Sequence, residues 1–197
     1  MRVLLSLLLL FGLNPLYADQ TEPEKLITNT TEKVLETIRN NSAEYKEEPA
    51  KLFALIDEIV LPHFDFQRMA NLALGRYRRK INDQQKTQLT DEFRTLLVRT
   101  YGKALLEYTD EKVIYLPMRG SIKKGDVTVR TEIDQGGGFP IPLNYNLYQA
   151  DNGWKVYDIS VDNISLVTNY RSSFAREIKK NGIDGLIKTL RERNQGQ

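Results

Sequence analysis

Apolar residues recur at helical spacing through the first half of the chain. They fall three or four positions apart over residues 24–40, and again after the cluster Glu47-Glu48-Pro49. Residues at this spacing share one face of a helix, so each segment is predicted to form an amphipathic helix. A third helix is predicted over residues 64–74 and a long fourth one over residues 82–108.

The second half changes to the alternating pattern of β-strands. Between Val127 and Ile133 apolar and polar residues alternate, which predicts a strand with one solvent-facing side. Strands are also predicted over residues 113–118, 141–149 and 154–161. The turn signal Asp151-Asn152-Gly153 pairs the last two strands as a hairpin.

Helical spacing returns over residues 164–178, and Gly182 separates that helix from a short last one. The order is therefore helices, then an antiparallel meander, then helices again. This order predicts an α+β fold in which helices pack on one curved, mainly antiparallel sheet.

The first eighteen residues have the pattern of an export signal. Arg2 precedes an apolar run over residues 3–13, which is too short to span a bilayer, and the small Ala18 follows the helix-breaking pair Asn14-Pro15. We therefore expect a signal peptide over residues 1–18 and a single domain over residues 19–197. An exported chain without cysteine also excludes a disulfide scaffold, a thiol nucleophile and a thiolate metal site.

Charge and size narrow the classes of function. Removal of residues 1–18 takes away only Arg2, so the mature chain of 179 residues carries 27 basic and 26 acidic side chains. A nucleic-acid-binding domain normally has a clustered basic excess, so that class is disfavoured. With 41% hydrophobic residues in the full sequence, the chain has enough apolar side chains for the core of one domain.

Few residues suit catalysis. His63 is the only histidine, which excludes a histidine-based metal cluster and leaves it as the one base available to a Ser-His-Asp triad. It lies in a helix connection without a neighbouring nucleophile, and no serine stands in a G-x-S-x-G turn. We interpret His63 as a structural residue, and we expect a protein that is not an enzyme and needs no cofactor.

The strongest charge run surrounds Tyr77 and consists of Arg76, Arg78, Arg79 and Lys80. A run of this length is typical of a solvated surface. The functional alternative is a docking patch for an acidic partner or a lipid surface.

Three blocks of sequence resemble the MlaC family, also described as the toluene-tolerance auxiliary family. The first joins F-Q-R-M-A at residues 66–70 to A-L-G-R-Y at residues 73–77, and the second is the pattern of Phe93, Leu96, Leu97 and T-Y-G at residues 100–102. The third runs from W-K-V-Y-D at residues 154–158 through S-L-V-T-N-Y-R-S-S-F at residues 165–174. One departure is Asp162-Asn163, where the family commonly has an acid followed by glycine.

The resemblance implies a periplasmic phospholipid carrier of the Mla system. Such a protein is expected to act as a monomer that shuttles lipid between an outer-membrane lipoprotein complex and an inner-membrane ABC transporter complex, and so maintains outer-membrane lipid asymmetry. Binding and release would involve no covalent change. Two alternatives stay open, an exported α+β enzyme and a protein-binding adaptor that uses the same cavity.

The resemblance also implies an apolar lipid pocket where the helices face the sheet. Each candidate fits a closed core equally well, and the tyrosines among them suit a pocket mouth because a ring can contact an acyl chain while its hydroxyl meets water. Arg171 is predicted either to lie near a phosphate or to pair with Asp158. The candidate lipid-binding residues are Leu74, Phe93, Leu97, Tyr101, Leu105, Val129, Leu143, Tyr145, Val156, Leu166, Val167 and Tyr170.

Overall fold

The computed structural model describes residues 20–106 and 111–196. Residues 1–18, predicted as a signal peptide, lie outside these ranges, as does the end of the predicted fourth helix. The α-helices in the described ranges are α1 Glu22–Asn40, α2 Ser42–Glu47, α3 Pro49–Ile59, α4 Phe66–Leu74, α5 Asp83–Gly102 and α6 Leu166–Gln195. The strands are β1 Lys112–Ser121, β2 Asp126–Asp134, β3 Ile141–Ala150, β4 Gly153–Val161 and β5 Ile164–Ser165.

The predicted α+β fold is confirmed. The sheet has the order β1-β2-β3-β4-β5, and every neighbouring pair is antiparallel, so the strands form a simple meander. Register shifts after Leu116 and after Asn146 mark two bulges, which bend a strand and increase its twist. None of the described helices combines the length and the apolar composition that a membrane span requires.

The helical half differs from the sequence prediction in several details. Helix α5 ends at Gly102, where a 3₁₀ turn over Lys103–Leu106 follows, and α6 begins at Leu166 because Ile164–Ser165 form β5. Helix α2 was not predicted, because it is six residues long and buries only Tyr45, which is too little for a helical period to show. The third helix begins at Phe66 and not at Phe64, since Phe64 forms a parallel bridge with Val156 of β4. Asp65 then caps α4 by accepting a hydrogen bond of 2.8 Å from the backbone N–H of Arg68.

The turn between β4 and β5 explains how the chain tolerates its departure from the family pattern. Asp162 and Asn163 have φ angles of 48° and 63°, which is the left-handed region required at both positions of a type I′ turn. Asparagine and aspartate adopt this conformation more readily than other residues with a side chain. The turn therefore forms without the glycine.

The apolar core of the described residues divides into three clusters. One joins α4, α5 and α6, a second joins α1, α2 and α3, and a third joins the start of α1 to the inner face of the sheet. A single domain usually has one contiguous core. The division leaves room for a cavity where the three clusters meet.

A buried carboxylate joins the sheet to α6. Asp158 on β4 is 7% exposed and accepts hydrogen bonds from the Ser165 hydroxyl (2.6 Å) and from the backbone N–H of Val167 (3.1 Å). Ser165 in turn accepts from the backbone N–H of Thr168. Asp158 therefore orients the first turn of α6 against β4.

We expect Asp158→Ala to lower the free energy of unfolding by about 2 kcal/mol, because two donors lose a charged acceptor in a buried place. Urea denaturation of the purified protein measures this change. Asp91→Ala removes an exposed carboxylate on α5 and is expected to stay within about 0.5 kcal/mol of the unsubstituted protein. Equal effects of the two substitutions would contradict the role given to Asp158.

Candidate ligand-binding cavity

A cavity of about 290 Å³ lies between the helices and the inner face of the sheet. One water molecule needs only ~10–15 Å³ of such volume, so the space is far larger than a packing defect. None of the described wall residues carries a charged side chain. The wall consists of Ile27, Thr30, Thr31, Val34, Leu35, Ile56, Val60, Leu61, His63, Phe64, Phe66, Met69, Leu97, Val98, Tyr101, Gly102, Leu105, Val113, Ile133, Leu143, Tyr145, Val156, Ile159, Val161 and Leu166.

Helix α1 and strand β3 supply opposite sides of the wall. On α1, Ile27, Thr31 and Val34 face the cavity, four and then three residues apart, as one face of a helix requires. On β3, Leu143 and Tyr145 face it because alternate residues of a strand point to the same side. The local periods of the sequence therefore place these side chains on the wall.

Where α5 meets α3, the wall contains a glycine, Gly102. A Cβ atom at Gly102 would lie 2.9 Å from Cδ1 of Ile56 and 3.4 Å from the ring of Phe53. The first distance is too short for a real Cβ contact, whereas the second is ordinary contact, so a side chain at position 102 would require Ile56 to shift.

The cavity has a buried end and an open end. At the buried end, Met69 and Val156 are at most 1% exposed. The other end lies at one end of the strands, where Val113 of β1 pairs with Ile133 of β2 and Leu143 of β3 pairs with Val161 of β4.

Tyr101 marks that open end, because at 38% it is the most exposed of the described wall residues. Leu105 lies one helical turn further on, and the chain reaches β1 at Lys112 only seven residues later. We call this end, defined by Tyr101, Leu105, Val113 and Ile133, the mouth.

Tyr145 places a neutral hydroxyl inside the apolar wall. Burial raises the pKa of Tyr145 to about 12, and a hydrogen bond with the Thr31 side chain opposes this shift only in part. The ring still has partial exposure because it faces the cavity. Tyr145 and Thr31 thus offer a polar pair that stays uncharged at physiological pH.

We expect the Tyr145 phenolate to form near pH 12 and not near pH 10, its ordinary value. Between these pH values the folded protein binds more protons than the unfolded chain, so stability falls as the pH rises through this interval. The difference in phenolate absorbance between the protein and Tyr145→Phe isolates this group. A phenolate that appears near pH 10 would contradict the buried position.

Tyr101 and Tyr170 are joined by a hydrogen bond between their side chains. Partial burial raises the pKa of both hydroxyls. The Tyr170 ring packs edge-on against Phe93, with 5.0 Å between ring centroids. Tyr101 therefore faces the mouth, and its hydrogen-bond partner Tyr170 lies on the side of the closed core.

The structure places His63 on the cavity wall, at the end of a 3₁₀ turn over Leu61–His63. Burial and the nearby Lys155 ammonium lower the pKa of His63, which favours the neutral imidazole. The sequence placed His63 correctly in a helix connection, but it gave no sign that this connection borders a cavity. Among the described wall residues, His63 is the only titratable one besides the two tyrosines.

Seven of the twelve predicted lipid-binding residues lie on the wall. Their contact with a lipid stays a prediction. They are Leu97, Tyr101, Leu105, Leu143, Tyr145, Val156 and Leu166.

The other five candidates lie off the wall: four are buried in closed core, and Tyr170 is partly buried against it. Leu74, Phe93 and Val167 are at most 3% exposed inside the cluster of α4, α5 and α6, and Tyr170 packs against that cluster. Val129 is 1% exposed between the sheet and the start of α1. These positions have the same apolar pattern as wall residues, but neighbouring side chains fill the space beside them.

Arg171 does not pair with Asp158. Its Nε donates a hydrogen bond of 2.9 Å to the backbone carbonyl of Leu72, and Asp158 is engaged by Ser165 and Val167. Arg171 therefore joins α6 to the end of α4.

The described residues form a large internal cavity with an uncharged, mainly apolar wall and a mouth at one end of the strands. Such a cavity is typical of a protein that binds an apolar ligand within its fold. Residues 28–192 match the family model described as MlaC protein. The chain belongs to the MlaC family.

Curated relatives align over most of the chain. The toluene tolerance protein ttg2D of Pseudomonas putida is 29% identical over 188 residues, which cover 94% of this chain and 86% of the relative. The intermembrane phospholipid transport system binding protein MlaC of Haemophilus influenzae is 24% identical over 179 residues, which cover 88% and 82%.

A solved structure shares the fold at similar coverage. It is that of a phospholipid-binding protein from Ralstonia solanacearum in complex with a phospholipid. It superimposes with a TM-score of 0.83 and 33% sequence identity, and the match covers 89% of this chain and 98% of that one.

Proposed function

We propose that this protein is an exported phospholipid carrier that holds acyl chains in the cavity and releases them without covalent change. It works in the periplasm, where residues 1–18 direct it. It carries lipid between an outer-membrane lipoprotein complex and an inner-membrane ABC transporter complex, and thereby maintains the lipid asymmetry of the outer membrane.

The cavity is the observation that carries this proposal. Each methylene moved from water to an apolar site contributes about 0.8 kcal/mol, so the roughly thirty methylenes of a diacyl lipid oppose transfer to water by on the order of 20 kcal/mol. A carrier must replace most of these contacts. The described wall residues carry no charged side chain and lie at the junction of three apolar clusters, so they provide such contacts.

The names of the relatives support the same conclusion. Two of them are named for phospholipid binding or transport, and one was solved with a phospholipid. Because the family match spans residues 28–192, the elements that form the cavity wall lie almost entirely inside the matched region.

Lipid extraction tests the proposal directly. We expect the protein purified from the periplasm of expressing cells to release phospholipid into organic solvent, with mass spectrometry to identify it. Delipidated protein should take up phospholipid again from vesicles. Protein that carries no phospholipid when purified and takes none up from vesicles would overturn the proposal.

The enzyme alternative has one observation in its favour, which is the position of His63 on the wall. However, the described wall offers this imidazole no serine, cysteine or carboxylate as a partner. We expect His63→Ala to bind and transfer phospholipid as the unsubstituted protein does. Chemically altered lipid recovered from the unsubstituted protein, but not from His63→Ala, would favour the enzyme.

A further inference from the structure

The basic run around Tyr77 has no part in the cavity, and the fold adds further cations to it. Residues 76–80 follow α4, whereas the other cations lie on α6, more than ninety positions later. All eight are exposed. We call them together the basic face: Arg76, Arg78, Arg79, Lys80, Arg171, Arg176, Lys179 and Lys180.

Contacts of Arg171 hold the two segments side by side. Its Nε donates to the carbonyl of Leu72, and its Cδ lies 3.4 Å from where a Cβ of Gly75 would be. Tyr77 also packs against the cluster that contains Ile178 of α6. The start of the basic run after α4 therefore lies beside Arg171, in the second turn of α6.

The cations of α6 form a second row. Arg176, Lys179 and Lys180 are three and four residues apart, so they share one side of the helix. Together with Ser172 they surround a shallow surface depression.

The charge of this face is not balanced by ion pairs. None of its eight residues forms a salt bridge with a carboxylate in the described part of the chain, unlike Lys51, Arg94 and Arg191. Glu177 is the carboxylate within this stretch of α6, and it accepts a hydrogen bond of 2.6 Å from the Asn181 amide. In a nearly neutral protein, this concentration of cations produces a positive surface.

The basic face begins beside the mouth. The side chain of Tyr170 is hydrogen-bonded to that of Tyr101 at the mouth, and Arg171 is the next residue along α6. Measured along the axis of α6, at about 1.5 Å per residue, the cations extend roughly 13 Å from Arg171 to Lys180, while the helix turns them to different sides. A surface that attracts this face would therefore lie close to the mouth.

We propose that the basic face docks the protein on the surface of a bilayer that contains anionic phospholipid. Charge complementarity is the basis, because clustered Lys and Arg gain about 1 kcal/mol each near such a surface. The large apolar residues more than a third exposed in the described chain are Tyr101, Ile114, Ile122, Phe139 and Ile164, and none belongs to the basic face. A specific protein partner usually requires an apolar or aromatic centre, which favours lipid headgroups as the occupant.

This inference rests on the proposed carrier function in one respect: the purpose of the docking is to bring the mouth to a membrane. Docking through charge alone is reversible and weakens with salt. Such docking suits a protein that must also leave the membrane with its cargo.

Co-sedimentation with vesicles tests the docking. We expect the protein to bind vesicles of phosphatidylglycerol and phosphatidylcholine in equal parts but not vesicles of phosphatidylcholine alone. Binding should disappear in ~1 M salt, where the screening length is ~3 Å. The variant Arg78→Gln with Lys179→Gln should bind roughly 25-fold more weakly, at roughly fivefold for each cation.

The matched control is Lys123→Gln with Lys124→Gln, which removes two exposed cations from the 3₁₀ turn between β1 and β2, at the end of the strands away from the mouth. It should bind vesicles like the unsubstituted protein. Failure of the unsubstituted protein to bind anionic vesicles would overturn the proposal. Equal binding of anionic vesicles by both double variants would also overturn the proposal. This result is expected if the partner of the basic face is an acidic protein and not a bilayer.

Lipid extraction from the same variants separates the two proposals. Both double variants should retain bound phospholipid, since neither changes the cavity wall. Vesicle binding by a protein without phospholipid cargo would support the basic face and count against the carrier function. Phospholipid cargo without vesicle binding would support the carrier function and count against docking through the basic face.

Discussion

Filling the mouth side of the cavity is expected to expel the bound lipid while the protein stays folded. Leu143 and Val161 are register partners on β3 and β4, and both face the cavity. The double variant Leu143→Trp with Val161→Phe places an indole and a phenyl ring where acyl chain would lie. Displacement of only four methylenes would cost about 3 kcal/mol of binding, which is on the order of 100-fold in affinity.

The neighbouring register pair supplies a matched control. Asn144 and Ser160 also face each other across β3 and β4, but they point to the outer side of the sheet. The variant Asn144→Trp with Ser160→Phe therefore adds the same rings outside the cavity and should retain its phospholipid. Extraction and mass spectrometry compare the lipid content of both variants, and thermal unfolding verifies that both are folded. Equal lipid content would contradict the assignment of this cavity as the lipid site.

The sheet follows from the sequence because its signals are local. Alternation from Val127 to Ile133 specifies which side chains face inward, and Asp151-Asn152-Gly153 specifies where the chain turns back. Pro49 begins α3 where the sequence indicated, and Gly182 interrupts α6 with a φ of 74°. The two-residue strand β5 escaped prediction because it is too short to alternate.

The wall of the cavity follows from the sequence only in part, because it depends on contacts between distant elements. Phe93, Leu97 and Tyr101 lie four residues apart on one side of α5, so the helical period cannot distinguish them. Tyr170 and Phe174 of α6 close over Phe93, whereas the cavity begins at Leu97. The orientation of α6 against α5 decides this difference.

The share of α1 in the wall was missed for a related reason. Val34 and Leu35 belong to a clear amphipathic pattern, but such a pattern only shows that one face is buried. Whether that face meets another helix, the sheet or a cavity is set by how α1 crosses the sheet. The paired polar groups Thr31 and Tyr145 come from elements more than a hundred residues apart, and nothing local connects them.

A core residue and a wall residue should respond very differently to truncation. Phe93 is fully buried, and its ring packs edge-on against Tyr170 and Phe174 with centroids 5.0 and 5.1 Å away. Phe93→Ala removes these contacts and leaves a void that the surrounding helices fill only partly. We expect a loss of about 4 kcal/mol in the free energy of unfolding. For a domain of this size the melting temperature should fall by roughly 10 °C.

Leu143→Ala is the matched comparison on the wall. Its side chain already borders open space, so truncation enlarges an existing cavity and creates no new one, and we expect a cost of about 1 kcal/mol. Both variants should be measured after removal of lipid, since bound lipid stabilises the folded state by mass action. If Phe93→Ala proved as mild as Leu143→Ala in lipid-free protein, then Phe93 would border the cavity. The boundary between closed core and wall on α5 would then lie at least one helical turn before Leu97.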